Sequence, residues 1–202
     1  MDEKLTHAPR GIILKPKILI MFSGGLDSTG AFWKLIMNTK EPLHVHHLHL
    51  QNKENRAEAE SKAVLDIVKY MKKIRDFAYS DSFHEYPCHD GNFMWDSDLY
   101  NFIAGTICLS IKSIELVAIG RTKSDGGLDR ADRGTKILKT LSPWVEKTYP
   151  VGDMTKEEIY EMLPEELIKM TWSCRTPIYG DEIKKCGRCR TCMEIKKIKG
   201  NT

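Results

Sequence analysis

Near the start of the chain, Phe22-Ser23-Gly24-Gly25-Leu26-Asp27-Ser28 stands between an apolar run, Ile18 to Met21, and an apolar-periodic run, Ala31 to Met37. A strand that turns through two glycines into a helix is a building unit of parallel α/β sheets. The glycines let the backbone turn tightly and approach a ligand with no Cβ in the way. Ser23 and Ser28 add hydroxyls beside the unpaired amides of the first helical turn. Such a place holds phosphate. Ser23, Gly24, Gly25, Leu26, Asp27 and Ser28 are therefore the candidate nucleotide-binding residues.

The rival pattern G-x-x-x-x-G-K-[ST] fails here, because no lysine follows the glycines and Asp27 stands inside the loop. A carboxylate in that position repels phosphate unless a cation intervenes. Read as S-G-G-x-D-S, the stretch resembles the pyrophosphate loop of ATP pyrophosphatases, which cleave ATP between the α and β phosphates. In that resemblance Asp27 lies close to magnesium and the leaving pyrophosphate. The competing reading is a glycine turn with a Ser or Asp helix cap.

With 202 residues the chain is long enough for one well-buried core. We expect residues 1–16 to form a leader, 17–165 an α/β domain and 166–202 a C-terminal segment packed on it. No apolar run approaches the roughly twenty residues that span a bilayer, and Met1 to Arg10 lacks the apolar core of a signal peptide. The expectation is a cytoplasmic protein with no membrane partner. The net charge of +3 is too small to argue for nucleic acid, although Asp181 to Thr202 holds seven Lys or Arg against three acids.

Strands alternate with helices along the rest of the chain, which predicts right-handed crossovers and a doubly wound parallel sheet. Strands are expected at Lys17 to Phe22, Leu43 to Leu50, Phe77 to Tyr79, Ile114 to Ile119 and Lys147 to Val151. Helices are expected at Arg56 to Met71, Leu99 to Lys112 and Lys136 to Leu141. A further helix runs from a Thr155–Glu158 capping box to Leu163. The second strand carries His44, His46, His47 and His49, two on each face; His49, nearest its carboxyl end, is the one expected to face a ligand. The 17 residues from Ser80 to Asp96 show no period and read either as a substrate-covering loop or as a surface excursion. After the fourth strand, Gly120-Arg121-Thr122-Lys123-Ser124-Asp125-Gly126-Gly127 forms a second polar glycine-rich turn, which reads either as part of the site or as a solvated loop. Arg121 and Lys123 there suit a triphosphate or an anionic substrate.

Cys174, Cys186, Cys189 and Cys192 follow a C-x11-C-x2-C-x2-C spacing. Four thiolates so close together in a reducing compartment fit a closed tetrahedral zinc site, which is structural because no ligand position is left for water. Arg175, Lys185, Arg188 and Arg190 offset its negative charge. An iron–sulfur cluster and redox-active cysteines are the competing readings.

The loop and the cysteine tail together resemble the 7-cyano-7-deazaguanine synthase family, over nearly the whole chain. The segment Tyr149 to Met154, the capped helix, Thr171-Trp172-Ser173-Cys174 and Asn101 are also similar to that family. The resemblance implies an adenine nucleotide alpha hydrolase-like, PP-loop fold with a four-cysteine zinc-binding appendage. It implies a homodimer that uses ATP, Mg2+ and ammonia to turn 7-carboxy-7-deazaguanine into its nitrile, with no direct nucleic-acid ligand. It places Ser23 to Ser28 and Gly120 around the nucleotide, and Asp27, Ser28, Arg121 and Lys123 at the reacting charges. The chain departs from the family after the second strand, where Leu48-His49-Leu50-Gln51-Asn52-Lys53 replaces Asp-Tyr-Gly-Gln-basic-His. It departs again before the third helix, where Leu99-Tyr100-Asn101 keeps only the Asn of Gly-Arg-Asn. A relative acting on another substrate, a tRNA-thiolating enzyme and a non-catalytic nucleotide- and zinc-binding protein stay open on the residues alone.

Overall fold

Apolar residues that fill both faces of a strand demand cover on both faces, and the first strand does this most strictly. In the computed structural model, which describes residues 15–85, 95–125 and 128–200, β1 (Ile18–Met21) is fully buried. Its alternate side chains enter two separate cores. Ile18, Ile20 and the following Phe22 pack with α1 (Leu26–Asn38) and α2 (Ala57–Lys72). Leu19 and Met21 pack with α3 (Asp96–Ser110) and with Leu138 of α4 (Leu128–Leu141).

The sheet is wholly parallel, in the order β3-β2-β1-β4-β5. Its other strands are β2 (Leu43–Gln51), β3 (Ala78–Glu85), β4 (Leu116–Ile119) and β5 (Glu146–Thr148). Two short helices, α5 (Lys156–Met162) and α6 (Glu165–Met170), return to the first core through Ile159 and Leu167, and α7 (Arg190–Gly200) closes the chain. The connection leaves β1 toward β2 and β3 and later crosses back to β4, so the strand order reverses between β1 and β4. In such sheets a crevice opens there, outside the carboxyl ends of the strands. Met21 pairs with Ile119, which sets the phosphate loop beside Gly120.

The expected doubly wound sheet is present, and several boundaries differ. β3 extends to Glu85, pairing with β2 from His44↔Ala78 to Gln51↔Glu85. As an edge strand it carries the polar run Ser80, Asp81, Ser82 and His84, which hides its period and shortens the aperiodic stretch. Tyr86, Cys88, His89 and Asp90 lie outside the described residues. α3 starts at Asp96, three residues before the expected Leu99, and α4 starts at Leu128. β5 ends at Thr148, because Tyr149 to Gly152 closes a turn through the Gly152 N–H and Tyr149 carbonyl. The capping box is present on both sides, with Glu158 N–H donating to Thr155 Oγ1 and Thr155 N–H to Glu158 Oε2. Among the described residues no helix is long and apolar enough to cross a membrane.

Candidate functional site

The chain leaves β1 into a turn that only glycine fits. Gly24 has φ +75°, and a Cβ there would lie 2.9 Å from Val64 Cγ2 and 3.3 Å from the Glu60 carbonyl. Gly25 caps α1 in extended conformation and brings no side-chain cap of its own; of the first-turn amides, Leu26 N–H is met by Ser173 Oγ from the tail. Ser23 and Ser28 meet through their hydroxyls at 3.0 Å, and Ser28 Oγ donates to the Gly25 carbonyl. From β4, Gly120 presses on the same turn so closely that a Cβ would stand 2.4 Å from Ser28 Cα.

Asp27 stands at the mouth of this loop with a buried, unpartnered Oδ1. Burial pushes its carboxyl up to about 6; Lys156 pulls it down, while Asp125 and Glu194 push it further up. An orphaned carboxylate with other acids nearby and a phosphate cradle beside it fits a magnesium ion, which takes one or two carboxylates and fills its shell with phosphate and water. Lys156, the first residue of α5, bonds Glu194 of α7 at 2.7 Å. It lines both chambers of the site.

The smaller chamber, about 150 Å3, is bounded by the loop, Arg56, Glu60, Trp172 and Ser173. The larger one, about 860 Å3, extends over the ends of β4 and β5 to α3. Gly120, Lys156, Arg175, Thr191 and Glu194 belong to both walls. Beneath the smaller chamber Arg56 is held by Glu60, Asp96 and Glu54, and Glu54 reaches Arg175 at 2.9 Å. Burial disfavours the Arg56 charge, and its carboxylate partners more than offset that. Glu60 is raised to about 7, chiefly by burial.

The tail is stitched to the loop. Trp172 N–H donates to the Gly24 carbonyl at 2.8 Å, Leu26 N–H to Ser173 Oγ at 3.2 Å, and Tyr179 Oη to the Asn55 carbonyl at 2.6 Å. One residue beyond Ser173 begins the cysteine cluster. The sulfurs of Cys174, Cys186, Cys189 and Cys192 all lie within 4.8 Å of one another. Cys186 N–H donates to Cys174 Sγ and Cys189 N–H to Cys186 Sγ, each at 3.3 Å, the backbone support a thiolate–metal centre needs. A Thr176 hydroxyl, with further hydrogen bonds, draws Cys186 down to about 5. Burial drives Cys192 up to about 12.

Of the expected site residues, Ser23, Gly25, Leu26, Asp27, Ser28 and Gly120 line the smaller chamber, while Gly24 shapes it from behind. Arg121 lines the larger one. Lys123 does not join them: its side chain is exposed and its amide donates to the Met154 carbonyl. His49 also stays apart. Its ring stacks on Phe83 at 4.1 Å and Nδ1 meets Ser61 Oγ at 2.6 Å, so β3 covers its flat face and α2 takes one of its polar atoms. The other strand histidines also bond locally, His44 Nε2 and His46 Nδ1 with Ser80 and His47 with the Phe22 carbonyl, while His44 Nδ1 is buried without a hydrogen-bond partner. Sequence reasoning missed Lys156, Glu194 and Ser97. For Lys156 a signal existed, a lysine at the first position of a capped helix; for the others it did not.

No family model matches the chain. Two curated proteins are each 26% identical to it: the 7-cyano-7-deazaguanine synthase of Saccharolobus solfataricus, over 90% of this chain, and the 7-cyano-7-deazaguanine synthase 2 of Sulfurisphaera tokodaii, over 89%. The chain resembles the 7-cyano-7-deazaguanine synthases. It spans 45% of the length of either relative. Among solved structures it is similar to the U34-tRNA thiolase NcsA from Methanococcus maripaludis with its [4Fe-4S] cluster. The TM-score is 0.55 at 14% identity, covering 94% of this chain and 66% of that one. That likeness establishes the fold, and the synthase-like chain keeps it with the loop at the switch point and four cysteines beside it.

Proposed function

We propose that the chain is an ATP-dependent ligase that adenylates 7-carboxy-7-deazaguanine and converts it, with ammonia, to the nitrile. The observation that carries this reading is the joining of two chambers at the phosphate loop. One is sized for the phosphates, and the other is a roomy polar cavity whose shared wall holds Lys156 and Arg175. An enzyme that only hydrolysed ATP has no use for the second chamber.

A carboxylate is a poor electrophile until one oxygen becomes part of a leaving group. Its oxygen attacks the α-phosphorus, the bond to the β-phosphate oxygen breaks, and pyrophosphate leaves. Ammonia then adds to the acyl carbon, AMP departs and a proton is released, giving the amide. A second ATP adenylates the amide oxygen with loss of pyrophosphate and a proton. Departure of AMP and the last N–H proton leaves the nitrile. The loop amides with Ser23 and Ser28 receive the pyrophosphate, and Arg121, Lys156 and Arg175 neutralise charge around the α-phosphate. Asp27 would hold magnesium, which supplies charge neutralisation on the departing pyrophosphate.

Cys174, Cys186, Cys189 and Cys192 would hold zinc as a cross-link that fixes α7. The four sulfurs all lie within 4.8 Å of one another, a grouping that suits a single tetrahedral ion. A closed four-cysteine set leaves no open ligand position, which favours the ligase over a sulfur-transferring reading. A homodimeric, cytoplasmic enzyme without a nucleic-acid ligand goes with this proposal. The test is mass spectrometry after incubation with Mg-ATP, ammonium and 7-carboxy-7-deazaguanine. Nitrile, AMP and pyrophosphate are expected. AMP without nitrile refutes the substrate, and no AMP from metal-loaded protein refutes the enzyme.

A further inference from the structure

The far end of the larger chamber, away from the phosphate loop, holds polar atoms that the fold buries and does not satisfy. Asn101 on α3 is 2% exposed, and its Nδ2 donates to the Ser97 carbonyl at 2.5 Å. A carbonyl only accepts, so the amide nitrogen must face it and Oδ1 must face away. Asn101 Oδ1 has no partner, and neither does Ser97 Oγ one helical turn earlier. Leaving such atoms buried and unpaired is costly unless something else completes them. Both residues line the chamber.

Lys147 of β5 comes to the same wall near the Asn101 amide nitrogen. Gly134 of α4 packs against both, so that a Cβ there would lie 2.6 Å from Asn101 Nδ2 and 3.0 Å from Lys147 Nζ. The wall thus carries an ammonium, an unpaired amide oxygen and an unpaired hydroxyl: one donor, one acceptor, and one group free to accept. Tyr149 adds an aromatic ring to the same wall, with Lys147 Nζ 5.3 Å and the Arg121 guanidinium 5.4 Å from its centroid.

We propose that Lys147, Asn101 and Ser97 form a subsite that reads the 2-amino-lactam edge of a guanine-type heterocycle, with Tyr149 as its flat wall. This rests on the ligase reading given above. Such an edge presents carbonyl, ring N–H and exocyclic amine in sequence. The carbonyl accepts from Lys147 Nζ, the ring N–H donates to Asn101 Oδ1, and the amine donates to Ser97 Oγ. An adenine-type edge offers one amine and one ring acceptor and no third group, so it leaves Asn101 or Ser97 unpaired. Sites built on buried polar pairs reject the ligand that fails to complete them far more strongly than apolar pockets reject a missing methylene.

The experiment is equilibrium titration without ATP, so that no adenylation enters. Three ligands keep the carboxylate and vary the edge: 7-carboxy-7-deazaguanine, its analogue lacking the 2-amino group, and 7-carboxy-7-deazaadenine. The native protein should bind the first roughly tenfold more tightly than the second and roughly a hundredfold more tightly than the third. Ser97→Ala should erase the preference for the 2-amino group alone. Lys147→Met and Asn101→Leu should each cost roughly ten- to a hundredfold for the guanine-type ligand, with Mg-ATP affinity unchanged. Equal affinity for the three ligands, or Ser97→Ala and Lys147→Met variants that bind as the native protein does, overturns the subsite even if Asn101→Leu fails to fold. Edge discrimination without AMP formation in the turnover assay refutes the ligase reading and leaves the subsite standing. Turnover without discrimination does the reverse.

Discussion

Between β1 and the phosphate loop every side chain from Ile18 to Phe22 is buried, and two cores enclose the sheet. From Trp172 to Gly200, by contrast, only Cys174 and Ile198 are buried. The body is held by apolar burial, which is distributed and survives the loss of any one group. The tail has little apolar surface to bury, so its shape depends on whatever binds four sulfurs and on a few bonds to the loop. Yet the tail supplies Arg175, Thr191 and Glu194 to the chamber walls. The less stable region thus completes a site anchored on the more stable one.

That contrast can be broken most severely at the cysteines. Cys189→Ser, or treatment with a strong chelator, should release the metal and abolish AMP formation. The far-UV signal of the sheet and its cooperative unfolding should persist, checked by elemental analysis and circular dichroism. Loss of the sheet together with the metal would show that the two regions are not separable. Asp27→Asn should come next, lowering AMP formation by roughly a thousandfold. Its unfolding midpoint should hold or rise, because burying a charge at this point disfavours the folded state.

Acid should act on the body through its buried histidines. Burial pushes His47, and likewise His46, down to about 4. An imidazole with a depressed folded pKa binds fewer protons than its unfolded counterpart, so its contribution is complete above about pH 6.5 and is lost as the pH falls toward 4. For fully buried His47 that amounts to about 3 kcal/mol. His47→Asn should therefore lose less stability than the native chain as pH falls from 7 to 4.5, read as urea midpoints of metal-stripped protein; Asp27 and Glu60, both raised, work in the opposite sense in both chains. The same pH dependence in variant and native chain would contradict it. The smallest effect is expected at the seam: Glu194→Gln keeps the shape but weakens the hold on Lys156, and the KM for ATP should change by about two- to fivefold, read by steady-state kinetics.

What the chain revealed before folding was what lies close together in sequence. The Ser23 to Ser28 loop and the cysteine spacing are local patterns, and the apolar run of β1 announces a strand covered on both faces. The second half of β3, beyond the expected Tyr79, was concealed because an edge strand can be polar, as Ser80, Asp81 and Ser82 are. α7 was concealed because its lysines and Cys192 show no apolar period. Lys156 has only its place at the start of a capped helix to mark it in sequence, and its part in the site shows when Glu194 comes to it from 38 residues away. Ser97 and the accepting side of Asn101 are visible only as unpaired atoms in a wall. His49 shows the opposite error: its position at a strand's carboxyl end was read correctly, but Ser61 and Phe83 already hold it.

The hydrogen bonds from Trp172 to Gly24 and from Leu26 to Ser173 have a bearing on how the chain is made. The loop leaves the ribosome early, while the residues that finish its walls emerge some 150 positions later. Until then the nascent chain has the phosphate loop without Trp172, Ser173, Arg175, Thr191 and Glu194, which wall the smaller chamber. On the ligase reading, a product truncated before the tail should therefore turn over no nucleotide, and activity should appear only once the tail has joined the loop.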